Sequence, residues 1–286
     1  MAAASLPPDT GIGLVHLTVA DLTAASRFYL DVLGFRIAAR EHGRTSFSAS
    51  GETPVHLILS ENPKATRRRT AGLYHFAILL PTRQDLARVL RHLIDSGAPI
   101  EGASDHGVSE AVYLHDVEGN GIEIYADRPR ERWPVRNGTL AMGTDALDVE
   151  DLLDHAGQPW DGMPAGTGIG HIHLRVGDLA RSERFYAGTL GFEVIVRSYP
   201  GALFVSAGGY HHHIGLNTWA GTGIPPMTPE GAGLRYFSIT IPEQQALDDA
   251  VRRLRNMGGV NDDIVDGPVR GVLARDPDGI GVLLTP

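Results

Sequence analysis

The eight residues VHLTVADL at positions 15–22 return almost unchanged as IHLRVGDL at positions 172–179. The likeness continues at the same offset, where Arg27-Phe28-Tyr29 is matched by Arg184-Phe185-Tyr186. Agreement at one constant offset over about twenty residues indicates an internal repeat rather than chance. The sequence therefore predicts two copies of one structural module.

A second pair of related segments lies between and after these copies. GLYHFAILLP at 72–81 matches GLRYFSITIP at 233–242. In every copy an alternating, strand-like segment leads into an amphipathic helix pattern, and further strand-like segments follow. The chain therefore contains four modules with the order β-α-β-β-β.

The repeat predicts an α+β fold, in which four βαβββ modules form two half-barrel domains. One such module has an open, curved sheet, so two must pair to bury the apolar face. Residues 1–127 hold modules one and two, and residues 168–286 hold modules three and four. The segment 128–167 is rich in Pro, Gly and charge and is expected to be a linker.

Composition excludes several classes of function. The chain has 286 residues and a formal charge of −9, with 34 acidic against 25 basic residues, which is unfavourable for nucleic acid binding. It has no cysteine, so thiolate nucleophiles and cysteine-based metal sites are excluded. No apolar run approaches the roughly 20 residues that span a bilayer, and no signal peptide is visible. We expect a cytosolic protein without a membrane partner.

Potential metal ligands recur at equivalent positions of the modules. Because side chains alternate along a strand, one fixed position in each module should face the same cleft. The first-strand residues at this position are His16, His75, His173 and Tyr236. The last-strand residues assigned to the matching position are His56, Glu123, His213 and Gly281. Six ligand-type side chains in register predict a divalent metal site, which module four lacks.

The residue types indicate which metal the site takes. Two imidazoles and one carboxylate leave coordination positions open, an arrangement used by non-haem iron(II) oxygenases. Iron(II) is therefore the expected cofactor, with manganese(II) as the alternative.

At this point the chain resembles the vicinal-oxygen-chelate superfamily, which includes glyoxalase I, bleomycin-resistance proteins and type I extradiol dioxygenases. Within it, the chain looks most like the four-module bacterial catechol 2,3-dioxygenases. The stretches that carry the resemblance are GLYHFAILLP (72–81), SDHGVSEAVYLHDVEGNGIEIYADRP (104–129), GHIHLRVGDL (170–179) and GGYHHHIGLNTW (208–219).

The resemblance implies an extradiol ring-cleaving dioxygenase that acts on a small aromatic diol with O2. Its pattern of a Tyr ten residues before the ligand Glu is met by Tyr113 and Glu123. The implied metal ligands are His75, Glu123 and His173. His213 is the implied acid–base residue, while Tyr113 and His106 would donate hydrogen bonds to the reacting oxygens.

Several assignments have alternatives. If modules one and two pair, instead of two and three, His16 and His56 replace His173 and His213. His171 shares a strand face with His173, which is preferred because the residues after it match those after His75.

Other residues of module three have a structural interpretation as well as a functional one. His211 and His212 are expected to line a solvent-exposed turn. Trp219, Phe204 and Tyr199 are candidates for stacking on an aromatic ring, with a place in the core as the alternative.

Two other functions remain open at this stage. A glyoxalase-like isomerase or lyase would use a fourth metal ligand and no O2, and a binding protein of the bleomycin-resistance type would use the cleft without chemistry. Members of the superfamily commonly assemble, so a homo-oligomer is among the expected partners.

Overall fold

The structure is a computed structural model. It describes residues 5–136, 138–228, 230–257 and 269–286, together with the backbone of residues 262–266. In the described part of the chain, no helix is long and apolar enough to span a bilayer.

Each of the four predicted modules is present with the order β-α-β-β-β. Module one comprises β1 (Gly11–Val19), α1 (Leu22–Arg27), a π-helical turn (Phe28–Val32), β2 (Arg36–Glu41), β3 (Arg44–Ser48) and β4 (Leu57–Glu61). Module two comprises β5 (Gly72–Leu79), α2 (Arg83–Asp95), β6 (Ile100–Asp105), β7 (Ser109–His115) and β8 (Gly121–Asp127).

The second half of the chain repeats this order after a connecting segment. The connection contains a 3-10 turn (Arg130–Arg132), β9 (Val135–Arg136), β10 (Thr139–Leu140), β11 (Asp145–Ala146) and α3 (Val149–Asp154). Module three comprises β12 (Gly168–Arg175), α4 (Leu179–Glu183), a π-helical turn (Arg184–Leu190), β13 (Glu193–Val196), β14 (Ala202–Ser206) and β15 (Ile214–Asn217). Module four comprises β16 (Gly233–Thr240), α5 (Gln244–Asn256), β17 (Asp262–Asp266), β18 (Val269–Arg275) and β19 (Gly281–Thr285). The α+β class and the four-module order are confirmed.

The strands form two large sheets. One has the order β17-β18-β19-β16-β1-β4-β3-β2, and the other has the order β11-β6-β7-β8-β5-β12-β15-β14-β13. Strands of modules one and four therefore share one sheet, while strands of modules two and three share the other. This is the module combination that leaves His16 and His56 on a different sheet from His75 and Glu123.

The chain divides into two compact units. One consists of Met1–Thr18, Ala65–Tyr74 and His171–Pro286, and the other consists of Val19–Lys64 and His75–Gly170. The predicted linker, 128–167, lies within the second unit. The first unit combines segments of modules one and two with modules three and four, because first strands pair with partners distant in sequence, as β1 does with β16.

The repeated motif explains the local structure at the start of each helix. Asp21 accepts a hydrogen bond from the amide of Ala24, and Asp178 accepts one from the amide of Arg181, both at 2.9 Å. Such caps satisfy amides that the first helical turn leaves without partners. After the π-helical turn of module three, Gly191 adopts a φ of 100°, a conformation that favours glycine.

The tyrosine of each RFY motif anchors an aspartate turn of the next module. The Tyr29 hydroxyl donates to Asp116 at 2.7 Å, and the Tyr186 hydroxyl donates to Asp276 at 3.0 Å. Both tyrosines are fully buried. Burial and the neighbouring carboxylate raise the pKa of each tyrosine well above its ordinary value, so both remain hydrogen-bond donors.

Candidate metal centre

The centre of the site is an imidazole–carboxylate pair on two adjacent parallel strands. In the pairing of β5 with β8, His75 lies opposite Gly121 and Ala77 lies opposite Glu123. This register brings the Nε2 atom of His75 to 3.0 Å from Oε2 of Glu123. The two residues are only 8% and 3% exposed, so the pair is removed from bulk water.

A second histidine joins this pair. Ligand atoms of His75, Glu123 and His171 lie within 4.8 Å of one another, and all three residues are buried. Two ligand atoms bound at right angles, each about 2.1 Å from a cation, are about 3.0 Å apart. This spacing is that of the His75–Glu123 pair, so these two atoms are placed as neighbouring ligands of a divalent cation would be.

His173, the third ligand expected from the sequence, has aromatic surroundings instead. Its ring centroid lies 5.1 Å from that of Tyr74, 5.6 Å from Phe204 and 5.3 Å from Trp219. His171 and His173 are alternate residues of β12, so both point to the same face of the strand. Sequence matching to His75 selected His173, whereas the structure brings His171 to the pair.

The histidines that follow β14 are buried, contrary to the expectation of a solvent-exposed turn. His211 is 0% and His212 is 9% exposed. The ring centroid of His212 lies 4.1 Å from that of His171, and Nδ1 of His211 lies 2.8 Å from Nδ1 of His212. Module three therefore places two further imidazoles beside the proposed ligand.

His213 is held in one tautomer by the turn that precedes β15. The amide of Ala207 donates to its Nδ1 atom at 3.2 Å, and the Ser206 hydroxyl lies 3.1 Å from the same atom. An Nδ1 atom that accepts from an amide carries no proton, so neutral His213 carries its proton on Nε2. In this state Nε2 is a hydrogen-bond donor.

Tyr113 and His106 form a hydrogen-bonded chain beside the pair. Tyr113 on β7 lies directly opposite Glu123 on β8, and its ring centroid is 5.8 Å from that of His75. Its hydroxyl lies 2.6 Å from Nε2 of His106, while Nδ1 of His106 lies 2.7 Å from the carbonyl oxygen of Gly143.

The acceptor at Gly143 assigns the protons in this chain. A carbonyl oxygen only accepts, so Nδ1 of His106 is the donor there. In neutral His106 the Nε2 atom must then accept, and Tyr113 donates its hydroxyl proton to it. Protonation of His106 reverses this bond and frees the Tyr113 proton for another acceptor.

The alternative set in module one lies on the other sheet. His16 pairs with Tyr236 across β1 and β16, with ring centroids 4.8 Å apart. His56 precedes β4, and burial lowers the pKa of its imidazole. The strand order therefore favours the assignments in modules two and three over His16 and His56.

The sequence assignment of the last-strand position needs correction. In the pairing of β12 with β15, His173 faces Gly215 as His75 faces Gly121. Alignment of His75 with His173 makes Asn217 the equivalent of Glu123, and alignment with His171 makes Gly215 the equivalent, so neither alignment puts His213 there. His213 precedes the strand, because the turn after β14 is longer than the sequence match assumed. Asn217 is fully buried, and among the described residues its Nδ2 atom has no hydrogen-bond partner.

Comparisons with known proteins agree with the fold. The family model for the glyoxalase/bleomycin resistance protein/dioxygenase superfamily matches residues 11–124 and 168–284. The catechol-2,3-dioxygenase of Bacillus subtilis (strain 168) is 48% identical over 261 residues, which are 89% of this chain and 90% of the relative.

Solved structures extend the comparison to the backbone. A structure from Bacillus subtilis has a TM-score of 0.68 at 15% identity and covers 99% of this chain and 86% of its own. Glyoxalase I from Zea mays has a TM-score of 0.59 at 17% identity and covers 96% of this chain and 92% of its own. With two matched segments that together span most of its length, this chain belongs to the glyoxalase/bleomycin resistance protein/dioxygenase superfamily.

Proposed function

We propose that this protein is an extradiol dioxygenase that cleaves a catechol with O2, using iron(II) held by His75, Glu123 and His171. The observation that carries the proposal is the buried donor set, whose ligand atoms lie within 4.8 Å of one another. The 48% identity to a catechol-2,3-dioxygenase over nearly the whole chain supports the class of reaction. Manganese(II) is the alternative ion, since the same donor types suit it.

The ligand set has the net charge that this reaction needs, and it would leave coordination positions open for the substrates. Glu123 supplies one negative charge and the two imidazoles supply none, so a bound divalent ion keeps a net positive charge that favours catecholate. When bound, the metal would act as a Lewis acid that chelates both diol oxygens and leaves a position for O2. Burial of all three ligands excludes water that would compete for these positions.

Tyr113 and His106 provide a proton store next to this site. While the His106 side chain is neutral, the Tyr113 hydroxyl donates to it at 2.6 Å. When His106 takes up a proton from the substrate side, Tyr113 can donate instead to negative charge that develops on a substrate oxygen. We assign Tyr113 as the donor and His106 as its partner.

His213 is proposed as the acid that protonates the departing oxygen. Its Nδ1 atom accepts from the amide of Ala207, so neutral His213 donates only a hydrogen bond from Nε2. To act as the acid it must leave this bond, take up the substrate proton as an imidazolium, and return that proton to the departing oxygen. His212 is the alternative, because its ring packs at 4.1 Å against His171. Substitution of each residue by Gln distinguishes them. Replacing the true acid should slow formation of the ring-opened product without loss of bound iron.

The test is turnover under controlled oxygen. Protein is loaded anaerobically with iron(II), mixed with catechol, and then exposed to air-saturated buffer. We expect a yellow ring-opened product and the uptake of one O2 per catechol. Iron-loaded protein that consumes no O2 with several catechols contradicts the proposal, and isomerase activity without O2 uptake would indicate glyoxalase-type chemistry instead.

A further inference from the structure

One face of β12 runs from the proposed metal site to a positively charged end. His171, His173 and Arg175 are alternate residues of this strand and share one face. At about 3.3 Å per residue, the Cα atoms of His171 and Arg175 are about 13 Å apart. A molecule bound beside His171 that extends along this face therefore reaches His173 first and Arg175 next.

The middle of this face is aromatic. His173 makes edge contacts with Tyr74 and Phe204 and a tilted contact with Trp219. Tyr74 and Trp219 also contact each other, with ring centroids 5.4 Å apart. Trp219 is 47% exposed and His173 is 4% exposed, so this aromatic wall runs from the buried end of the face to solvent. Such walls favour flat aromatic ligands.

The face ends at Arg175, whose positive charge is not paired with a carboxylate among the described residues. The guanidinium of Arg175 lies over the Tyr74 ring at 5.1 Å and donates from Nη1 to the carbonyl oxygen of Leu73 at 2.6 Å. Among the residues that the structure describes, Arg175 forms no ion pair, although it is half-buried. Burial, with a contribution from Arg67, lowers the pKa of its side chain.

A half-buried charge without a counter-ion is costly unless a ligand supplies one. Of the five N–H donors of the guanidinium, one bonds to Leu73, and the others have the planar geometry that suits a carboxylate. The aromatic wall of Tyr74, His173 and Trp219 would contact the apolar part of the same ligand. Together these features match an aromatic ring that carries a short acidic side chain.

We propose that Arg175 is a specificity determinant that selects catechols bearing a carboxylate side chain. This inference rests on the proposed function, because it assigns the diol end of the molecule to the site at His171. Arg175 binds the carboxylate, and Tyr74, His173 and Trp219 contact the ring between the two ends.

Binding and turnover test the inference separately. The first measurement is calorimetric titration of the iron-loaded protein, without O2, with 3-phenylpropionate, which has the ring and the carboxylate but no diol. We expect Arg175→Gln to weaken binding at least 10-fold and Arg175→Lys to weaken it less. Arg252→Gln removes an equal charge from the exposed face of α5 and is the matched control, with affinity unchanged.

The second measurement is the ratio of kcat/KM for 3-(3,4-dihydroxyphenyl)propionate to that for its primary amide. We expect Arg175→Gln to lower this ratio at least 10-fold, while Arg252→Gln leaves it unchanged. Equal 3-phenylpropionate affinity in the wild type and in Arg175→Gln overturns the inference. If no diol is cleaved by any variant, the proposed function fails, and the titration still decides whether Arg175 binds the carboxylate.

Discussion

Modules two and four have the same strand pairing but different side chains at the ligand positions. In module two, Ala77 faces Glu123 across β5 and β8, and in module four Ser238 faces Leu283 across β16 and β19. Two residues earlier, module two has His75, while module four has Tyr236 against Gly281. The strand pairing is retained, and module four has Tyr236 and Leu283 at the positions that hold His75 and Glu123 in module two.

This comparison shows what the fold supplies and what it leaves to individual residues. Parallel pairing of the first and last strands of a module puts two side chains on one face, two positions apart in register. In module four these positions hold Tyr236 and Leu283, and Tyr236 packs on the ring of His16. The His75–Glu123 pair is therefore a local property of module two, which substitutions in modules two and four can test.

The largest effect is expected from the carboxylate. Glu123→Gln keeps the size of the side chain but removes the only negative charge of the ligand set, so iron affinity should fall at least 100-fold and turnover at least 1,000-fold, on the order of losses seen when a metal ligand is removed. Iron content and O2 uptake are the measurements. Leu283→Met, at the equivalent position of module four, is the control that should retain both.

The second effect separates the two histidines of β12. His171→Ala should lower iron affinity by about 10- to 100-fold, because it removes a donor from the buried set. His173→Ala removes an aromatic contact and should change iron affinity less than about threefold. The reverse result, with iron lost from His173→Ala alone, would restore the assignment made from sequence.

A smaller effect is expected at Tyr113. Tyr113→Phe removes the hydroxyl that His106 holds but keeps the ring beside His75. We expect kcat to fall by about 10- to 100-fold, within the range for loss of one donor or proton-transfer group, with iron content unchanged. Steady-state kinetics with measured iron occupancy checks this, and an unchanged kcat would remove Tyr113 from the mechanism.

Modules two and four also differ in the aspartate turns that their tyrosine partners anchor. Burial raises the pKa of Asp276 from its ordinary value of 3.8 to about 7. Because the folded protein then binds this proton more tightly than the unfolded chain, Asp276 lowers stability as the pH rises from about 4 to about 7.

Asp276→Asn should remove this contribution. The free energy of unfolding of the wild type should therefore decrease more between pH 5 and pH 8 than that of the variant, by about 2 kcal/mol or more. Urea unfolding at the two pH values measures the difference. Parallel pH dependence in the two proteins would show that Asp276 titrates normally.

The smallest effect is the difference between the two tyrosine contacts. Oδ2 of Asp116 accepts from Tyr29 and also from the side-chain amide of Asn120 at 2.8 Å, whereas Oδ2 of Asp276 accepts from Tyr186. Tyr186→Phe should thus cost about 1 kcal/mol more stability at pH 8 than Tyr29→Phe, because it leaves a buried carboxylate oxygen without its donor. Equal losses in urea unfolding would contradict this account.

Much of the fold was predictable because it depends on local patterns. The recurrences of VHLTVADL and of GLYHFAILLP together indicated four modules, and strand alternation indicated that His75 and Glu123 are side chains on one face. The spacing between Tyr113 and Glu123 was informative because β7 and β8 are joined by a tight turn, so that ten residues return the chain to the directly opposite position.

The rest depended on register and turn length, which the sequence pattern does not determine. His171 and His173 lie on the same strand face, so alternation alone does not distinguish them. The position of His213 before β15, with Asn217 at the strand position, follows from the length of the turn after Ser206. Burial of His211 and His212 arises from the packing of this turn, and Arg175 stood in a motif whose repeat in module one has Thr18.

The central claim is that His75, Glu123 and His171 bind one catalytic metal ion. The direct measurement is an anomalous-scattering map at the iron edge from crystals loaded anaerobically with iron(II). The account predicts one peak per chain, about 2.0–2.3 Å from one nitrogen of each histidine and one oxygen of Glu123. A peak bound by His173 or by the His211–His212 pair, or no peak in protein that turns over catechol, would contradict it.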